Sequence, residues 1–291
     1  MKIKTNLQLS LIKGNIIMAL VAIAWGTGFP SMKYLLTNIP PITLIAIRFL
    51  LAAIALLLLF PKALFRLSKK ELIKGIVLGL VLTLAFGLFI SGLKYTSASR
   101  VGFIVATSII WVPILEYILF KKPYAAITWL LMLICLIGLF LITGASFHQL
   151  NIGDLLTLLG TLALSSQIIL VDKFSPMKNP AIVTIQFMVI SFVTLLIVLI
   201  THQPIFPHHI SIPLVLNLAY ISSVVTAIAF WAQTRYQSLI SPSRATFLFL
   251  LEPIVSMLFA FWFLNELISL SEILGAFIIL LGLTLSVDNQ T

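Results

Sequence analysis

The chain has 291 residues, 61% of them hydrophobic and only 9% charged, with a mean hydropathy of +1.18. Soluble domains carry about 25% charged residues, so a water-soluble fold is excluded and nearly the whole chain belongs in a bilayer. The formal charge of +10 does not point to nucleic acid, because the lysines and arginines fall in short connections between apolar runs, where the positive-inside rule accounts for them.

A helical span needs about twenty apolar residues. The apolar runs divide into ten such spans, at 14–36, 41–60, 72–94, 98–120, 125–144, 153–172, 181–201, 212–236, 243–264 and 269–287. Pro40-Pro41, Pro61, Pro123, Pro180, the stretch from Pro204 to Pro213, and Pro242 punctuate them. Runs such as Leu50 to Phe60 are apolar on every side, which suits a helix in lipid and not the alternation of a β-barrel. Span one is too long for a cleaved signal peptide and reads as a retained signal-anchor. The fold expected is an all-α integral membrane protein.

Orientation follows from the basic residues. One side holds Lys2, Lys4, Lys13, Lys62, Arg66, Lys69, Lys70, Lys74, Lys121, Lys122, Lys173, Lys178, Arg235 and Arg244, and the other only Lys33, Lys94 and Arg100. Fourteen against three places both termini in the cytoplasm and requires an even number of spans.

Residues at membrane depth supply the candidate site. In span one, Trp25, Gly26, Thr27 and Gly28 with Pro30 allow close backbone approach and predict an irregular turn. Arg48 lies about two turns into span two, deep in hydrocarbon, and reads either as facing a polar cavity or as fixing two helices through an ion pair or carbonyl. Ser91, Ser108 and Trp111 follow in spans three and four, Gln167 and Gln186 in spans six and seven, and Tyr220, Trp231 and Gln233 in span eight. Each alone is ordinary interhelical packing; together they offer aromatic faces and hydrogen bonds suited to a small amphipathic solute. Glu252 precedes Pro253 in mid-span nine, where the proline frees a carbonyl, and is the candidate for substrate binding and proton coupling; the bland reading bonds it to neighbouring hydroxyls. Glu116, nearer the cytoplasmic end, is within reach of Lys121 or Lys122.

The other groups carry little. Cys135 is the single cysteine, so no intrachain disulfide forms. His148, His202, His208 and His209 sit in connections without acidic or thiol co-ligands, so no metal is expected. No nucleotide loop or zinc-protease motif occurs, and no cofactor is expected.

The chain also repeats itself. Residues 85–144 match 229–288 at a constant offset of 144, which carries Arg100 onto Arg244, Phe103 onto Phe247 and Gly138-Leu139 onto Gly282-Leu283. Five spans per repeat is odd, so halves 1–146 and 147–291 are expected to be inverted in the membrane. Earlier spans align with shifted offsets, Arg48-Phe49 on Gln186-Phe187 and Lys33 on Lys173.

Trp25-Gly26, Arg48-Phe49, Leu251-Glu252-Pro253, Asn265-Glu266-Leu267 and the ending from Gly275 to Gly282 resemble, in order and over essentially the whole chain, the ten-helix EamA-type proteins of the drug/metabolite transporter superfamily. One departure is Lys121-Lys122-Pro123 in the first half where the second keeps Glu266. The resemblance implies two inverted five-helix repeats around a central cavity lined by spans one, three, four, six, eight and nine, in a carrier of metabolites or drugs across the bacterial inner membrane.

The expectation is a secondary transporter, an exporter of a zwitterionic or amphipathic metabolite such as an amino acid. Its partners would be that small-molecule substrate and the lipid bilayer. A cationic-drug exporter using Glu252 is the alternative within transport. A nucleotide-sugar or organic-phosphate carrier is disfavoured because Arg48 is the one cation clearly inside. A non-transporting assembly subunit is the alternative outside transport; an intramembrane enzyme would need a metal cluster or an activated nucleophile that the sequence lacks.

Overall fold

The computed structural model describes residues 2–145, 150–205 and 210–288; His148, His208 and His209 lie outside them. Ten apolar helices follow one another: α1 (Lys2–Leu36), α2 (Pro41–Leu59), α3 (Lys69–Leu93), α4 (Ala98–Ala106 and Ser108–Phe120), α5 (Ala126–Thr143), α6 (Ile152–Lys173), α7 (Ala181–Ile200), α8 (Ile212–Tyr220, continuing through Ile221–Ile228 into Ala229–Tyr236), α9 (Pro242–Phe249 and Leu251–Leu264) and α10 (Leu270–Asp288). Among the described residues there is no strand, and nine helices are long and apolar enough to cross a membrane alone. The tenth apolar stretch, Leu270–Ser286, is shorter; at 1.5 Å per residue it covers roughly 25 Å, which a bilayer accommodates by slight thinning.

The helix starts are built from short polar caps. Ser68 with Glu71, and Asn151 with Asp154, form reciprocal capping boxes at the heads of α3 and α6. Ser97, Ser211 and Ser241 cap α4, α8 and α9 by accepting a backbone N–H. Lys121 and Asn265, 144 residues apart, both end their helices in the left-handed conformation, at φ of 54° and 55°. The expected irregular turn in α1 is absent: the helix runs unbroken through Gly26, Gly28 and Pro30. A proline removes one backbone bond, which a long helix tolerates when neighbours pack it. The irregularity sits in α8 instead, where Ile221–Ile228 is a π-helix.

Contacts between distant helices define two faces. Arg244 at the head of α9 bonds Asn15 in the first half of α1 and Ser286 at the tail of α10. Ser243 also meets Glu116 near the tail of α4. These ends share one face, here called the terminal face. On the opposite face Arg100 and Thr96, at the head of α4 and the tail of α3, bond Asp154 at the head of α6, and Lys33 at the tail of α1 pairs with Glu266 after α9. The equivalent residues Arg100 and Arg244 thus lie on opposite faces, which is the inversion that an odd number of spans per repeat requires.

Packing follows the same dyad. The contact of α3 with α6 answers that of α8 with α1, α4 with α6 answers α9 with α1, and α2–α7 and α5–α10 are self-related pairs. At α5–α10, a Cβ on Gly138 would stand 2.7 Å from the Gly275 carbonyl, so bare glycine backbone sets that approach. The largest buried cluster lies between α2, α3, α7 and α8: Phe49 is fully buried, 5.4 Å from both Phe86 and Phe187 and 6.3 Å from Phe230.

Candidate solute site

The segment of α1 from Trp25 to Met32 is where four helices meet. A Cβ on Gly26 would stand 2.6 Å from the Glu252 carbonyl and 2.7 Å from Val255, so α1 lies directly against α9 where Pro253 interrupts the backbone bonding. A Cβ on Gly28 would meet Val225 of the π-helix at 2.7 Å. Thr27 donates to the Ala24 carbonyl or shares a hydrogen with Tyr220 of α8, at 2.7 and 2.5 Å. Trp25 packs 5.3 Å from Phe230 and 5.0 Å from Phe249, and its buried indole N–H has no hydrogen-bond acceptor.

Arg48 reaches this place from α2. Phe49 turns into the aromatic cluster, and the neighbouring Arg48 consequently turns towards α1 and α8. Its Nε donates to Thr226 Oγ1 at 2.5 Å, and one terminal nitrogen lies 3.8 Å from Met32 Sδ. Thr226 in turn donates to the Ile221 carbonyl five residues earlier, a bond that exists because this stretch is a π-helix. π-Helical turns concentrate at functional sites because they expose carbonyls and re-aim side chains.

Glu252 is half-buried and, among the described residues, makes no hydrogen bond or ion pair. Arg48 and Glu252 are close enough for their charges to interact across the helix junction, yet they form no salt bridge. Two opposite charges that share a site without neutralising each other by contact can engage both ends of a zwitterion.

Five of the expected residues therefore come together: Trp25, Thr27, Arg48, Tyr220 and Glu252. Thr226 and Met32 join them, and the sequence reading did not include either. Ser108, the equivalent of Glu252 at offset 144, is buried on α4, with half-buried Trp111 one turn further on. Gln167 on α6 and Gln186 on α7 are fully buried, and neither amide has a hydrogen-bond partner. Trp231 lies lower on α8, against Phe60 at 5.4 Å and Tyr236 at 6.2 Å. These last five make no hydrogen bond or ring contact with the first five.

The remaining candidates separate cleanly. Glu116 is 4% exposed and is solvated by Lys122 at 2.9 Å and Tyr124 at 2.5 Å, as its nearness to the lysines predicts. Cys135 is buried and packs between Leu131, Met132 and Leu139 of α5 and Ile279 of α10. His202 is exposed at the tail of α7, and among the described residues no group of His, Cys, Asp or Glu is arranged to hold a metal.

A bundle of apolar helices with charge held at its middle defines a polytopic membrane carrier, and sequence comparison agrees. The sequence model of the EamA-like transporter family matches residues 12–144 and again 151–287. The chain belongs to that family, and it is a transporter and not an enzyme. An uncharacterized transporter of Archaeoglobus fulgidus is 26% identical over 266 residues, covering 91% of this chain and 82% of its own. The uncharacterized transporter YyaM of Bacillus subtilis is 27% identical, covering 88% of each chain. A protein of known crystal structure superposes with a TM-score of 0.80 over 94% of this chain and 96% of its own, at 15% identity, a likeness of fold alone.

Proposed function

We propose that the protein is a secondary transporter that exports a zwitterionic or amphipathic metabolite, such as an amino acid, across a bacterial cytoplasmic membrane. In this reading halves 1–146 and 147–291 alternate access around the site, and the terminal face, with fourteen of the seventeen basic residues outside the core of the membrane, is cytoplasmic. The observation that carries it is the unneutralised pair of Arg48 and Glu252 beside the α1 glycines. The guanidinium would receive a carboxylate, Glu252 would face an ammonium, and Trp25 and Tyr220 would cover an apolar side chain. Ser108, Trp111, Gln167, Gln186 and Trp231 complete the proposed pathway on the facing helices.

A thermal-shift screen of purified protein against an amino-acid panel tests this, since a ligand that binds the folded state stabilises it. A stabilising amino acid should lose its effect in both Arg48→Ala and Glu252→Gln. If both variants respond like the parent, the site is wrong.

A second reading, a cationic-drug exporter, has its own support: Arg48 already has Thr226 and Met32, whereas Glu252 makes no hydrogen bond or ion pair among the described residues. It requires Glu252→Gln to abolish drug resistance while Arg48→Ala does not. Proton coupling through Glu252 predicts uptake into liposomes that follows an imposed pH gradient in the parent and ignores it in Glu252→Gln.

A further inference from the structure

The dyad that relates the two halves is broken at one place. On the terminal face the Ser108–Phe120 segment of α4 packs against the Pro242–Phe249 segment of α9. The equivalent segments on the opposite face, Ala98–Ala106 and Leu251–Leu264, have no comparable packing among the described residues. The helices thus meet across their seam at one face only.

A polar cluster occupies that one-sided seam. Glu116 of α4 accepts from Lys122 on Oε1 at 2.9 Å and from the Tyr124 hydroxyl on Oε2 at 2.5 Å. From the other side of the seam, the Ser243 hydroxyl of α9 stands 3.0 Å from the same Oε2 and 2.7 Å from the Tyr124 hydroxyl, donating to one at a time. Ser243 is fully buried, so its hydroxyl has no water to fall back on. A second tie runs parallel: the amide of Gln237, after α8, donates to the Ile168 carbonyl of α6 at 2.7 Å, also fully buried.

Shifting by 144 residues carries Glu116 onto Ala260, Tyr124 onto Ile268, and Ser243 and Gln237 back onto Ser99 and Leu93. Neither acid, phenol nor amide exists at the equivalent places, so the opposite face has no means to make the same closure. The other strong polar ties, Arg244–Asn15, Lys33–Glu266 and Arg100–Asp154, run within α1–α9 and within α4–α6, and leave the seam untouched.

We infer that Glu116, Tyr124 and Ser243 form a one-sided gate latch, which holds the transporter shut at the terminal face and biases its resting state towards opening at the other. The inference rests on the chain being a transporter and not on which solute it carries. Opening at the terminal face requires Ser243 to leave Glu116 and Tyr124 while Glu116 keeps Lys122, so the buried charge is never abandoned and only the bonds across the seam are broken.

The test needs no substrate. On a Cys135→Ala background, spin labels at Tyr117→Cys on α4 and Ile16→Cys on α1, both more than half exposed at 55%, report the width of the seam by pulsed electron resonance in nanodiscs. The latch predicts one narrow distance in the parent. Ser243→Ala should add a longer distance, with the ratio of open to closed molecules raised roughly tenfold, as expected for losing a hydrogen bond to a charged group. Tyr124→Phe, which keeps the ring and its packing, should shift the ratio in the same direction. Asp154→Asn, which weakens a tie within one bundle, should leave the distances unchanged. Unaltered distributions in both Ser243→Ala and Tyr124→Phe overturn the latch, as does an equal broadening in Asp154→Asn.

Discussion

Thr226 decides where Arg48 points, because its hydroxyl both accepts from the guanidinium and is anchored to the Ile221 carbonyl. Thr226→Val keeps the shape and removes the acceptor, leaving a buried N–H unpaired at a cost of about 1–3 kcal/mol. Thermal unfolding in detergent should show that loss for valine and little of it for Thr226→Ser; equal stability of Val and parent would remove Thr226 from the site. Arg48 and Glu252 were legible in the sequence because a charge in hydrocarbon has no cheap explanation. Thr226 was not, since a threonine in a helix ordinarily bonds the carbonyl four residues back and nothing local announces a π-turn. Away from the membrane core, burial opposes the charge on Lys122, but bonds to Tyr124 and Glu116 and the Glu116 charge outweigh it and raise the ammonium above its ordinary 10.5. Burial and then the Glu116 bond likewise push the Tyr124 phenol up from 10.0. A raised value contributes stability that is whole below the unfolded value and is lost as pH climbs through the folded one. The cluster should therefore hold through neutral pH and weaken only above about pH 10, and Lys122→Met should flatten that alkaline fall in melting temperature.

The helices themselves were readable nearly end to end, because prolines bound apolar runs that admit one secondary structure in lipid. What the runs did not reveal was which helices approach closely. Gly26 and Gly28 suggested both close backbone approach and a disturbed turn, and only the first is found: they bring α1 onto α9 and α8. Both roles need glycine, and only the neighbouring helix tells them apart. Gly26→Ala should force α1 away from the Glu252 carbonyl, since its Cβ would sit at 2.6 Å against backbone that cannot yield. Transport or ligand-induced stabilisation should fall at least tenfold, and residual folded protein should melt lower by roughly 1–3 kcal/mol of stability. Gly87→Ala on α3 meets nothing within 4 Å and should be neutral or slightly stabilising through helix propensity. Similar behaviour of the two variants would mean that the α1–α9 contact does not shape the site.

At the scale of the molecule, inversion makes each half a control for the other. Arg100 and Arg244 are equivalent, and so are the residues they bond: Asp154 follows Gly153 at the head of α6 as Asn15 follows Gly14 in α1, at an offset of 139. One arginine therefore faces a carboxylate and the other a neutral amide in the same architecture. The repeat signalled the arginines, but the partners stayed hidden because small insertions change the offset between the early spans and the late ones. Arg244 is 5% exposed and bonded through Nε to Asn15 and through a terminal nitrogen to Ser286, at 3.0 Å each. Among the described residues its charge has no ion-pair partner there, so Asn15→Asp should stabilise the fold by about 1 kcal/mol, with the new carboxylate placed by the same backbone. Asp154→Asn should do the reverse and cost about 1–3 kcal/mol, because Arg100 and Thr96 both rely on it. Both ties lie within one bundle, so thermal unfolding should move in opposite directions while the seam distance stays constant. Equal signs in the two melting shifts would refute the equivalence of these two sites, whatever the solute proves to be.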